Sequence, residues 1–300
     1  MVVSADHNLT VGLAEVDLPG IPLYRRGKVR DTFDLGDRLL LIATDRLSAF
    51  DCILPDLIPG RGRILTELSR FWFGLTQGII PNHLLPDDLT LLPDHLRAQL
   101  EGRVMFCRKA VRVDIECVVR GRLAGSGWEE YQQQGTLAGE PLPKGLRFGD
   151  ELGRPRFTPA TKNDTGHDEN ISRRELAATL GGSLAAELEE VSLALFEFAQ
   201  GLCLKCGVIL VDTKFEFGWV EDQLILIDEA LTPDSSRMWL SGTASWEASS
   251  QGFDKQLVRD HLLQTGWDRQ PPAPRLPQDL IAEVQRRYQE VFERITQSGS

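Results

Sequence analysis

No stretch of this 300-residue chain is apolar for long enough to span a membrane, and its opening residues, MVVSADHNLT, lack a charged region followed by a long apolar run. A cytoplasmic location is therefore expected. Cysteine is scarce: the five present are an odd number, scattered without the spacing of a disulfide framework. Cys203 and Cys206 make a C-x-x-C, but no second pair stands at zinc-ligand spacing. The pair closes an expected helix, whose C-terminal dipole disfavours the thiolate that redox chemistry needs, so both read as buried structural residues. Excess positive charge is also missing. Lys and Arg total 33 against 44 Asp and Glu, a net −11 that argues against nucleic acid or an anionic membrane as partner. The Walker pattern G-x-x-x-x-G-K-[ST] does not occur, which excludes a P-loop. There is no internal repeat and no low-complexity block.

What is present is an ordinary globular composition, 42% hydrophobic and 26% charged, in a chain long enough for one two-lobed unit or two domains. Lys28 to Thr44 reads as a hairpin turning at Asp34-Leu35-Gly36-Asp37. A helix is expected over 64–77, and strands over Val104–Cys107 and Ile115–Val119. Residues 135–158, rich in Gly and Pro, are expected to form a long surface excursion. Ser172 with Glu175 makes a capping box, and Gly181-Gly182 ends that helix. The next helix carries Leu184, Leu188, Val191, Leu195, Phe198 and Leu202 on one stripe. Gly207 stops it before a strand over Val208–Phe217, and helices over 254–264 and 278–296 follow. Strands first and long helices later fit an α+β chain of two lobes, antiparallel sheets flanked by helices, divided into residues 1–112 and 113–300.

The densest chemistry lies in Val211-Asp212-Thr213-Lys214-Phe215-Glu216-Phe217. Alternation in a strand puts Asp212, Lys214 and Glu216 on one face and the apolar residues on the core side. The chain then returns as Leu224-Ile225-Leu226-Ile227 into Asp228-Glu229. A turn centred on Asp222 places Glu216 directly opposite Asp228, and like charges so placed repel. A hard divalent cation relieves that repulsion, and Mg²⁺ is typically held by one or two carboxylates plus phosphate oxygens. A solvated sheet face is the alternative, made less attractive by the continuous apolar run that leads into the acids.

Other clusters suit the same cleft. Lys28 and Arg30, two apart in Gly27-Lys28-Val29-Arg30-Asp31, project from one face of the first hairpin and can cover triphosphate oxygens. Alone, the segment is a weak signal, because a basic hairpin is more often a solvated edge. Arg120, Arg122 and Ser126 sit among glycines after a buried strand, a set suited to a phosphorylated small substrate or to a plain glycine turn. Asp234, Ser236 and Arg237 follow the acid pair closely. The 157–168 loop offers Lys162 and His167, the latter a candidate base or an exposed loop histidine. Asp45 and Ser48 stand just after a buried strand, where ligand contacts are common.

In this order the segments GKVRD, TDRLSAFD, PGRG with LTELSRFWF, ECVVRGRLAGSGW, FTPATKNDTGHDENIS, VDTKFEFG and DEALTPDSSRMW resemble the SAICAR synthetase family of purine biosynthesis, from about Leu23 to the last helix. The length, with an insert before FTPATK, is similar to the longer form of the family. The resemblance implies two α+β lobes related to kinase and ATP-grasp architectures. It implies an ATP-dependent ligase joining carboxyaminoimidazole ribotide to L-aspartate, with Mg²⁺, through an acyl phosphate. It puts Lys28 and Arg30 over the ATP phosphates, Arg112 to Asp114 at the adenine-reading hinge with Glu116 just beyond, and Glu216 and Asp228 on the metal, with Asp212 and Lys214 beside them. Arg120, Ser126 and Arg237 match positions holding the ribotide. Lys162, His167 and the 45–51 loop are aspartate-site candidates by family position alone. Arg30 is a departure, since some members carry Lys there. A small-molecule kinase on a similar scaffold and a catalytically silent nucleotide binder are the competing readings. The expected partners are these small molecules alone, in a monomer or homo-oligomer.

Overall fold

The computed structural model describes residues 12–162, 169–242, 252–253 and 255–297. Its first strands are β1 (Leu23–Arg26), β2 (Arg30–Asp34) and β3 (Arg38–Ala43). The β2–β3 turn falls on Asp34–Asp37 as expected, with Gly36 at φ 90° and its amide donating to Asp34 Oδ1 at 2.7 Å. A hairpin of β4 (Arg46–Ala49) and β5 (Cys52–Leu57) follows. Its turn residues Phe50 and Asp51 both have positive φ, an uncommon conformation for side-chain-bearing residues. Next come α1 (Arg61–Thr76), α2 (Asp94–Leu100) and β6 (Val104–Arg108). β6 completes an antiparallel sheet in the order β1-β2-β3-β6.

That sheet is covered on both sides, which is why β3 reads as an unbroken apolar run. Leu40 and Ile42 pack with Phe33, Phe106 and the lead-in residues Leu13, Val16 and Leu18. Leu41 points the other way, into the large core with α1. The start of α1 sits so close to β3 that a Cβ on Gly62 would collide with the Ala43 carbonyl, which accounts for a glycine in PGRG.

The second sheet is built around one long strand. The elements are β7 (Val111–Arg112), β8 (Ile115–Arg122), α3 (Gly125–Gln134), β9 (Thr136–Leu137), β10 (Glu140–Pro141), β11 (Glu151–Phe157), β12 (Ala160–Thr161), α4 (Arg173–Leu180) and α5 (Gly182–Lys205). Then follow β13 (Val208–Val220), β14 (Gln223–Ile227), β15 (Ser236–Leu240), α6 (Gln256–Gln264) and α7 (Gln278–Gln297). β13 pairs antiparallel with β8, β14, β15 and β7, and β8 carries β11 and β12 on its far side. Val211, Thr213, Phe215 and Phe217 are buried, as alternation requires. The capping box of Ser172 and Glu175 opens α4, and Gly181 ends it. The main core runs unbroken from Leu41 and Leu65 through Phe217 and Leu226 to Val284 and Ile295 of α7. No described helix is long and apolar enough to cross a membrane. All five cysteines are free and buried, and burial pushes the Cys203 thiol up to about 12.

Three expectations need correction. The 135–158 stretch is not merely an excursion, because β11 joins the sheet with Phe157 facing Val119 and 2% exposed. A register shift between Glu151 and Arg156 hides its alternation. On α5 the buried stripe is Ala185, Leu188, Ser192, Leu195, Phe196, Ala199 and Cys203, while Phe198 is 41% exposed. Small residues allow the helix to lie close on the sheet, so the large side chains alone misplace its face. Finally, the β13–β14 turn uses only Glu221 and Asp222, which puts Ile227 rather than Asp228 opposite Glu216.

Candidate active site

Despite that register, Glu216 and Asp228 converge. β14 ends at Ile227, and Asp228 adopts φ 64°, which redirects its side chain out of the sheet plane. Both acids line one recess of about 770 Å³, with the β1–β2 hairpin on one side and β13 on the other. Burial and the Asp228 charge together raise the Glu216 pKa. Burial works the same way on Asp228, but Arg30, Lys162 and Lys214 outweigh it and hold that carboxyl below its usual range. Arg30 contacts Asp228 and places Nη2 2.9 Å from Glu229 Oε2.

Next to the acids lies a chain of alternating charges. Lys162 Nζ is 2.7 Å from Glu216 Oε1 and 2.8 Å from Glu116 Oε1, which Lys214 Nζ also meets at 2.8 Å. Burial opposes the charged form of each, yet neighbouring charges win: the Glu116 pKa is lowered, and those of Lys162 and Lys214 are raised. Lys28, half-exposed, contacts Asp51 across the mouth of the recess, beside Ser48. Arg112 also lines it, with Nε 2.8 Å from the exposed Asp114 carboxylate.

A second recess, about 300 Å³, shares Glu116, Lys214, Asp234 and Arg259 with the first. Two arginines converge there on one acid: Asp212 Oδ2 is 3.1 Å from Arg120 Nη1 and 2.6 Å from Arg237 Nη1. Paired guanidinium forks are the groups that suit a phosphate or carboxylate. Arg120 also donates to Ser126 Oγ at 2.9 Å and Thr158 Oγ1 at 3.1 Å. Its burial lowers its pKa, although Asp212 opposes this. Gly125, at φ 54°, leaves room for the Arg237 guanidinium, which a Cβ would strike. Ser236 lines this recess and bonds Thr213 Oγ1 at 2.8 Å.

The other candidates lie differently. Asp45 is fully buried and accepts from Arg103 Nη1 and Nη2 at 2.7 and 2.9 Å, and from the Leu13 and Gly62 amides, each at 2.9 Å. Its acceptor sites are occupied by the fold itself. Arg122 lines neither recess; it contacts Glu151 and donates to the Gly149 carbonyl at 3.0 Å. Asp234 borders both recesses but is held by Arg61, by Lys255 Nζ at 2.9 Å and by Tyr288 Oη at 3.0 Å. His167 lies outside the described residues. Lys255 and Arg259, which sequence reasoning did not single out, both line the larger recess. Their spacing of four at the start of α6 was the available signal. Burial lowers the Lys255 pKa, although Asp234 opposes it.

Beneath Asp228, burial drives the pKa of His83 down to about 4, against the pull of the Asp228 charge. The unfolded chain titrates near 6.5, so it takes up the proton first as pH falls. The His83 contribution is complete above about pH 6.5 and lost on descending to about 4, roughly 3 kcal/mol in all. Urea unfolding of the wild type should weaken over that window, and His83→Gln should flatten this part of the profile. Parallel profiles for the two proteins would refute the assignment.

Residues 23–274 match the sequence pattern of the SAICAR synthetase family. A phosphoribosylaminoimidazole-succinocarboxamide synthase of Elusimicrobium minutum is 46% identical over 280 residues, 92% of this chain and 96% of that one. One from Desulfosudis oleivorans is 48% identical over 281 residues, again 92% and 96% of the two chains. Among solved structures, the Saccharomyces cerevisiae SAICAR synthase complexed with SAICAR superposes with a TM-score of 0.85 at 36% identity, covering 96% of this chain and 98% of that one. A type-2 SAICAR synthetase in complex with ADP gives 0.67 at 25% identity, covering 91% and 97%. Placed beside the acid pair, the cationic hairpin and the paired arginines, these likenesses make this chain a member of the SAICAR synthetase family, with that family's α+β fold.

Proposed function

We infer that this protein condenses carboxyaminoimidazole ribotide with L-aspartate at the expense of ATP, yielding SAICAR, ADP and phosphate. The observation that carries this reading is the shared wall between the two recesses, Glu116, Lys214, Asp234 and Arg259, which lets a nucleotide and a phosphorylated substrate react across it. The SAICAR and ADP complexes of the two solved relatives support the same pairing.

The chemistry follows from the groups available. A carboxylate is a poor electrophile, so the γ-phosphoryl is first passed to the ribotide carboxylate, and the aspartate amine displaces phosphate from the resulting acyl phosphate. Phosphoryl transfer needs positioning and neutralised charge rather than a protein nucleophile. Lys28 and Arg30 cover the phosphates, with Arg112, Asp114 and Glu116 at the nucleotide side. Arg120, Arg237 and Ser126 bind the ribotide, and Lys162 and Lys214 neutralise charge between the two. Glu216 and Asp228 fit Mg²⁺: both are oxygen donors facing one recess, Glu216 buried and Asp228 partly exposed, and burial together with the Asp228 charge raises Glu216. Bound there, the ion would offset phosphate charge. No described cluster of three or more His, Cys, Asp or Glu could hold a metal alone, which suits an ion that shares its shell with phosphates. We place the lobe division at residues 112 and 113 and the protein in the cytoplasm.

The test is stoichiometric. ADP release should require ribotide and aspartate together and match SAICAR formed; ADP released with ribotide alone, with phosphate kept on the product, would establish a kinase instead. Arg120→Ala should raise the ribotide KM about 10- to 100-fold, the loss of a charge-assisted contact, with the ATP KM little changed. An unaltered ribotide KM would remove Arg120 from the site.

A further inference from the structure

Three successive carbonyls in the turn between β1 and β2 face the protein body. Arg46 donates from Nη2 to the Gly27 carbonyl at 3.0 Å and from Nε to the Lys28 carbonyl at 3.1 Å. Thr44 supplies its amide at 3.0 Å and its Oγ1 at 2.8 Å to the Val29 carbonyl. Arg46 is buried and is itself fixed: Asp31 Oδ1 accepts from Nη2 at 2.7 Å, and Nη1 donates to the Ala14 carbonyl. In a trans peptide the N–H points opposite to the C=O of the same plane. Holding carbonyls 27 and 28 inward therefore turns the Lys28 and Val29 amides outward, and both residues line the larger recess. Among the described residues, neither amide donates to a backbone or side-chain acceptor.

We propose that Arg46 is a positioning residue for nucleotide binding: it sets the peptide planes of the hairpin turn so that consecutive amides, as well as the Lys28 ammonium, meet phosphate oxygens. The proposal rests on the larger recess being the ATP site. Successive outward amides make a concavity for an anion, and such a site is strong only if its dipoles are fixed before the anion arrives. Arginine suits this task because its planar fork reaches two carbonyls of the turn, a third on the lead-in segment and a carboxylate at once. A lysine would keep the charge beside Asp31 without spanning the turn.

The experiment compares wild type, Arg46→Lys and Thr44→Val by thermal shift with MgADP and by steady-state kinetics in each substrate. Arg46→Lys is expected to raise the ATP KM about 10- to 100-fold and to lose most of the MgADP-induced stabilisation, while the ribotide and aspartate KM values stay within about twofold. Thr44→Val removes one of two bonds to the Val29 carbonyl and should move the ATP KM in the same direction by about fivefold. A lower melting temperature with an unchanged ATP KM, or a parallel rise in all three KM values, would mean that Arg46 only supports the fold, and the proposal fails. If Arg46→Lys does not fold, Thr44→Val decides: an unchanged ATP KM overturns the proposal. Wild type without an MgADP response sinks the ATP reading and this proposal with it. A response kept equally by Arg46→Lys sinks the proposal alone.

Discussion

Glu216→Gln is expected to lower turnover by about 10²- to 10³-fold or more, the scale for removing a preorganised electrostatic contact at the reacting centre, while leaving the melting temperature unchanged or higher. The two halves of this expectation have one origin. Burial and the nearby Asp228 raise the Glu216 pKa, so the folded protein binds a proton there more readily than the unfolded chain does. An acid with a raised folded pKa contributes stability when protonated and loses it as pH rises through its titration. In its ionised form the side chain is therefore a burden on the fold, and a neutral isostere relieves it. Lys162 loses one partner but keeps Glu116 at 2.8 Å. A residue retained against stability points to function. Steady-state turnover and a thermal melt on the same preparation check both halves. Near-normal turnover would remove Glu216 from the metal site, and a collapsed melting temperature would make it structural.

Asp234→Asn should have the opposite signature, a loss of about 3–5 kcal/mol of stability. Burial disfavours the Asp234 carboxylate, yet Arg61 and Lys255 pull its pKa far below the ordinary range. Arg61 is fully buried and Lys255 is 8% exposed, so deleting the anion strands two cations away from water. Against a total of roughly 5–15 kcal/mol for a folded domain, that loss is severe. Since the Asp234 pKa is depressed, its contribution is whole above the unfolded carboxylate pKa and is lost progressively as pH falls from there through the lower folded value. Tyr288→Phe, which removes the 3.0 Å bond to Asp234 but leaves the carboxylate in place, should cost about 1 kcal/mol. Urea titrations of both variants provide the comparison; an Asp234→Asn midpoint equal to that of Tyr288→Phe would contradict the buried-cation account.

Much of this was legible in the residues themselves. Alternation along β13 assigned its buried and cleft-facing side chains, the capping box opened α4, and the order of the motifs pointed to the family. Hairpin register was not legible. A two-residue turn and a single left-handed residue at Asp228 deliver the acid by a bend that no periodicity encodes. Which acids the fold itself engages was also not legible locally. Asp45 and Asp234 follow strands just as ligand residues do, and only their partners reveal that Asp45 is saturated by Arg103 and two amides. Lys255 and Arg259 were overlooked because two cations four apart on a helix usually face solvent.

The ties on Asp234 draw on segments far apart in the chain. Arg61 belongs to the first long helix, Lys255 precedes α6, and Tyr288 stands on α7. A nascent polypeptide that has emerged only as far as β15 already carries both acids, the hairpin cations and the paired arginines, yet Asp234 then has Arg61 alone. Ribosomal synthesis must reach the closing helix before that carboxylate has all three of its partners.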